Sequence, residues 1–179
     1  NSWAVNAGTL NVSGDLSAAA NLSVASGGTL MGAGTVGTTR VSSGGVFAPG
    51  NGAPGTSMTV SGNLLLDPGA IYQVQVNPSA ASSATVSGTA TIGGAIVNAV
   101  YVPGRYISKQ YTILSATGGV SGTFGSSVDT NLPANFHSVL SYDANDAYLN
   151  LVLNFANPGN FSGNQQAVSN ALTSFFNNN

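Results

Sequence analysis

The residues of this chain that could do acid–base or nucleophilic chemistry are few, and their spacing brings almost none of them together. The single histidine, His137, sits in P-A-N-F-H-S-V. To act as a general base it needs a serine on a strained turn and a carboxylate to orient it, and neither G-x-S-x-G nor G-D-S-G occurs. The acids are Asp15, Asp67, Asp129, Asp143 and Asp146, with no glutamate. Glycoside hydrolysis requires two carboxyl groups facing each other about 5 to 10 Å apart. Only Asp143 and Asp146 are close, and D-A-N-D reads as a turn. That cluster lacks the glycine and bidentate glutamate of a calcium loop. G-A-G-T-V-G at Gly32 to Gly37 has dinucleotide-loop spacing, but no long strand precedes it and no helix follows, so it reads as a corner. A pectin-degrading centre would need Asp, Lys and Arg on one face, and the cations are only Arg40, Arg105 and Lys109. Three cations cannot track a run of phosphates, which excludes a nucleic-acid footprint. The expectation is a chain with no catalytic residue, cofactor or metal.

Composition says what kind of scaffold this is. Charged residues make up 4% of the 179 positions, against roughly 25% in ordinary soluble domains, while hydrophobic residues reach 42% and glycines number 24. The surface must therefore be Ser, Thr, Asn and Gly. A mean hydropathy of +0.20 with a net charge of -2 is the reverse of the disordered signature. There is no cysteine, hence no disulfide or thiolate site. No stretch reaches the roughly 18 apolar residues of a membrane helix. The opening N-S-W-A-V-N has no basic or apolar leader character, so a fragment of a longer chain is expected.

The element pattern is a repeat. A small residue, Gly, and two strand-forming residues recur from Ala7, Gly27, Gly44, Pro68, Gly93 and Gly118, at intervals of 17 to 25 residues. That is the size of one supersecondary unit. Alternating pairs such as Leu10/Val12, Leu22/Val24, Met58/Val60, Leu64/Leu66, Val74/Val76 and Ala90/Ile92 read as short half-buried strands. The class is all-β. A sandwich or barrel and a parallel β-helix both fit short, evenly spaced strands, and the doublet at one phase of each coil favours the β-helix. Stacking at about 4.8 Å also accounts for the missing charges, because like charges in such ladders repel.

The repeat changes near residue 100. Aromatics accumulate (Tyr101, Tyr106, Tyr111, Phe124, Phe136, Tyr142, Tyr148, Phe155), and Ser138 to Asn154 reads as a β-hairpin turning at Asp143 to Asp146. A solenoid needs a unit that closes its open end. The organisation expected is coils over 1–99, a C-terminal cap over 100–155, and a linker with a short helix over 156–179. In that last segment Ala167, Val168, Ala171, Leu172 and Phe175 share one helical face, with Asn164 as the N-cap. The cap's folding nucleus is assigned to Tyr106, Tyr111, Ile113, Leu114, Phe124, Leu132, Tyr142, Tyr148, Leu149 and Leu151.

Gly32 to Tyr72 resembles the passenger-associated transport repeat of bacterial autotransporters. The run Gln110 to Phe124, continuing through Asn131 to Pro133 into Leu140 to Leu151, is similar to the C-terminal end of autotransporter passengers, and Asn164 to Leu172 resembles the junction to the translocating barrel. The resemblance implies a right-handed parallel β-helix exported through the periplasm and outer membrane and displayed at the cell surface. It implies an autochaperone at the C-terminal end, with the chain's own upstream coils and a downstream translocator barrel as partners and a monomeric state. A second reading is an adhesive rod whose polar ladders contact surface glycans or another copy.

Overall fold

The computed structural model describes residues 2–154 and 161–177. In chain order its first strands are β1 (Ser2–Val5), β2 (Gly8–Asn11), β3 (Asp15–Val24), β4 (Gly28–Gly32), β5 (Thr35–Val41) and β6 (Val46–Pro49). There follow β7 (Ser57–Val60), β8 (Leu64–Leu66), β9 (Ile71–Val76), β10 (Ser83–Val86), β11 (Ala90–Thr91) and β12 (Ile96–Tyr101). The last part holds β13 (Lys109–Ala116), β14 (Val120–Ser121), β15 (Ser126–Thr130), β16 (Phe136–Tyr142), β17 (Asp146–Leu153) and helix α1 (Gly163–Asn177).

These strands wind into a parallel β-helix with three walls. The first wall stacks β2, β4, β6, β9, β12 and β15, every pair parallel. The second carries β7, β10 and β13, and the third β8, β11 and β14. In the early coils β5 serves both, pairing with β7 through Thr35 and Val36 and with β8 through Thr39 to Val41. Of the two architectures compatible with the strand spacing, the β-helix is the one adopted.

Period-two alternation decides what fills the interior. Val36, Val60 and Val86 stack along the second wall, and Leu30, Phe47, Tyr72 and Val97 along the first, all buried. Hydroxyl residues face outward on the second wall, where Thr35, Thr59 and Thr85 align. At the corner leading into the first wall, Gly27, Gly44, Gly69 and Gly94 form a ladder with φ of 81°, 76°, 80° and 81°. Each N–H donates to the carbonyl one coil on: Gly27 to Gly44 at 3.1 Å, Gly44 to Gly69 and Gly69 to Gly94 at 2.9 Å. Left-handed backbone at every turn of the stack is why glycine recurs there.

The doublets do not all mark this corner. Register pairs Gly8 with Gly28, Thr29 with Val46, Val46 with Ile71, Ile71 with Ile96 and Ile96 with Ser126, so successive coils add 20, 17, 25, 25 and 30 residues. The last doublet, Gly118-Gly119, lies at the corner between the second and third walls. There the Gly118 N–H donates to Gly88 at 2.9 Å and the Gly88 N–H to Gly62 at 2.8 Å. A Cβ on Gly118 would come within 2.7 Å of the Gly88 backbone, so close stacking demands glycine at this corner too. Two corners, one needing left-handed backbone and the other close stacking, produce one sequence signature.

Candidate capping and folding site

Closure of the β-helix begins at β13. On one side it pairs in parallel with β10, and on the other it pairs antiparallel with β17, which pairs antiparallel with β16. From β13 the chain runs through β14, β15 and β16 and returns through the tight turn at Asp143 to Asp146 as β17, so the strand laid on β13 is antiparallel and does not continue the parallel stack. The hairpin thus covers the edge that a following coil would otherwise occupy.

Tyr111, Ile113, Leu114, Leu149 and Leu151 are buried in one continuous core with the coils. Ile113 and Leu114 are neighbours, and a regular strand would send one of them outward. The register of β13 on β17 shifts between Thr112 and Leu114, and this bulge lets both turn inward. Phe124 is buried between Tyr72 and Tyr142, with ring centroids 5.5 and 6.3 Å away, and its N–H donates to the Tyr142 hydroxyl at 3.0 Å. Tyr72 stacks in turn on Phe47 at 5.7 Å and donates its hydroxyl to the Ile113 carbonyl. Phe47, Tyr72, Phe124 and Tyr142 form an aromatic spine from mid-stem into the hairpin. Tyr106 is half-buried, edge-on to Tyr101 at 5.8 Å, its hydroxyl 2.6 Å from the Val102 carbonyl and 2.9 Å from that of Val76. Leu132 packs half-buried against the same core.

Tyr148 differs from the other assigned positions. It alternates with buried Ala147 and Leu149 on the outer side of β17, and its hydroxyl donates to Asp143 Oδ2 at 2.7 Å. Asp143 Oδ1 accepts the N–H groups of Asn145 at 2.9 Å and Asp146 at 2.7 Å. The Tyr148 hydroxyl first, then these two N–H groups, hold the Asp143 carboxyl below its ordinary value. The bond to Asp143 is in turn the main reason Tyr148 is pushed up to about 12. Asn145 Nδ2 donates to the Ala116 carbonyl at 2.9 Å, fastening the turn to the end of β13. The D-A-N-D segment is a turn whose acids organise backbone.

The other chemically capable residues are dispersed. His137 is exposed on β16 opposite Val152. Asp67 pairs with Arg40 at 3.0 Å, and Asp15 accepts the Ser17 N–H at 2.8 Å. Asp129 accepts the Ser138 hydroxyl at 2.6 Å. Among the described residues no group of three or more acidic or imidazole side chains is placed to hold a metal.

One expectation is corrected at the terminal helix. Its N-cap is Ser162, whose N–H donates to Gln165 Oε1 at 2.9 Å while its Oγ accepts the Gln165 N–H, a capping box; Asn164 lies inside the helix. The apolar face is turned to solvent, with Val168 at 59% and Phe175 at 62% exposure, and Ser169 is the buried position. The helix is anchored instead by Asn177, whose side chain donates to the Leu153 carbonyl at 2.9 Å, accepts the Leu153 N–H at 3.1 Å and accepts the Ser108 hydroxyl. These polar bonds tie the end of the helix to the end of β17. Phe155, counted among the cap aromatics, and the linker positions 156–160 lie outside the described residues.

Sequence reasoning missed Phe47 and Tyr72 as parts of this site. The signal was present: each stands three positions after a ladder glycine, Gly44 and Gly69, and that offset always points inward. It also missed Asn145 and the buried pair Tyr101 and Asp129.

No family model matches the chain. It is 32% identical, over an alignment of 181 residues, to an extracellular serine protease of Serratia marcescens, the match covering 94% of this chain and 17% of that protein. The chain thus spans roughly a sixth of the length of this relative.

Proposed function

We propose that this chain is the C-terminal stem of a secreted autotransporter passenger, and that its hairpin region caps the β-helix and nucleates its folding during export. The observation that carries this reading is the change from parallel to antiparallel pairing at β13, which ends the solenoid in a unit that contains the locally paired β16–β17 hairpin. A quasi-one-dimensional array folds by nucleation and nearest-neighbour propagation, and a hairpin with a short turn closes at low entropic cost. A passenger that emerges C-terminal end first into a space without ATP gains outward bias as each new coil stacks on a folded end.

Two further points support the assignment. The resemblance to autotransporter passengers runs through the chain in the family's own order. The relative in Serratia marcescens is extracellular by its printed name, which supports export of this chain. We assign the proteolysis of that protein to the part this chain does not match, because the one histidine here is exposed on β16 and paired across the ladder with valine. Residues 1–99 then act as stem, 100–155 as cap, and 156–179 as the approach to a translocator.

The test is secretion. In the full-length passenger, Tyr111→Ser, Ile113→Ser, Leu149→Ser and Leu151→Ser should each reduce surface display and leave protease-sensitive passenger behind. Display at the unsubstituted level would remove the proposal.

A further inference from the structure

Two buried side-chain atoms among the described residues have no hydrogen-bond partner, Tyr101 Oη and Asp129 Oδ1, and they lie on the last two strands of the first wall, β12 and β15. Tyr101 ends β12 and is 1% exposed. Asp129 lies on the neighbouring strand β15, opposite Ala99. Ser126, Val128 and Thr130 face solvent, while Ser127 and Asp129 turn toward the interior. The other carboxylate oxygen, Oδ2, accepts the hydroxyl of Ser138 on β16 at 2.6 Å. Asp129 therefore stands between the last coil and the hairpin.

The two orphan atoms are complementary. Burial, and then the charge of Asp129, keep the Tyr101 hydroxyl protonated, so it is a donor beside a carboxylate with an unused lone pair. An interior carboxylate is expensive unless it is bonded, and a well-packed hydrophobe in its place is often neutral or better for stability. What a hydrophobe cannot do is distinguish registers. Sliding β16 by one residue turns Ser138 to the opposite face, where it can no longer reach Asp129.

We propose that Asp129 is the positioning residue that sets where the hairpin docks on the β-helix, held by Ser138 from the cap and facing the Tyr101 hydroxyl of the preceding coil. This deepens the reading of residues 100–155 as a cap and rests on it. Asp129 acts through placement of β16 against β15, not through overall stability.

Hydrogen exchange resolved by strand, on the whole chain, tests this. Asp129→Leu should leave exchange in β9 unchanged and accelerate β15 and β16 on the order of tenfold, the scale of a local opening. Asp129→Asn, which keeps an acceptor for Ser138, should restore most of the protection. Ser138→Ala and Tyr101→Phe should accelerate the same two strands, and Ser138→Ala carries the test should Asp129→Leu fail to fold. Unchanged exchange in β15 and β16, or equal acceleration in β9, would overturn the inference. Tyr101→Phe that slows exchange would remove Tyr101 from it. A released hairpin with normal passenger display would uphold this inference and remove the proposed role of the cap in export.

Discussion

At the scale of single residues the account turns on Asp143 and Tyr148, which hold the hairpin turn. Asp143 is held below the ordinary value of an aspartate carboxyl by bonds present only in the folded turn. Its contribution is complete above that unfolded value and is lost as pH falls through the lower folded one. Tyr148 runs the other way: raised from 10.0 to about 12, it contributes below 10 and loses that contribution as pH climbs between the two. Thermal midpoints measured against pH should therefore fall at both extremes. Asp143→Asn should flatten the acid limb and Tyr148→Phe the alkaline one, and an unchanged acid limb in Asp143→Asn would contradict the turn geometry. In the core, Leu149→Ala should cost about 2–5 kcal/mol, read by denaturant unfolding. Much of this was legible: Tyr111, Ile113, Leu149 and Leu151 are apolar at strand spacing and bury as that spacing implies. Tyr148 was not, because an aromatic in an alternating strand reads as core until the parity of its neighbours Ala147 and Leu149 is known.

At the scale of elements the glycine corners do the most. Gly69 has φ of 80°, and a Cβ there would lie 2.6 Å from the Ser43 hydroxyl. Gly69→Ala should lower stability by about 1–2 kcal/mol, the left-handed penalty for a residue with a side chain. The same substitution at Gly93, whose φ is not positive and around which a Cβ meets nothing within 4 Å, should be close to neutral. A comparison of unfolding midpoints for the two variants reads the difference. The sequence shows Gly93 and Gly94 as one doublet and does not say which bears the turn, since that depends on register; it is Gly94, with φ of 81°. The bulge in β13 and the Ser162 cap were hidden for a related reason. Each depends on a partner, Tyr148 and Ala147 across the ladder in one case and Gln165 one turn along in the other, that local periodicity does not reveal.

At the scale of the whole molecule the stem is a stack whose coils touch mainly their neighbours, closed at the C-terminal end by a unit of different topology. The class was readable because short alternating strands recur at even spacing along the chain. The aromatic spine was not, because Phe47 and Tyr72 belong to coils that otherwise look ordinary and meet Phe124 only once wound. That spine joins coils to cap in one packed column, and we propose that the rod builds from this closed end. Refolding of the chain followed by pulsed hydrogen exchange tests this most directly. Amides of β13, β16 and β17 should gain protection first, with β9 and then β4 following. Protection that arises first in β2 and β4, or in all strands together, would contradict it.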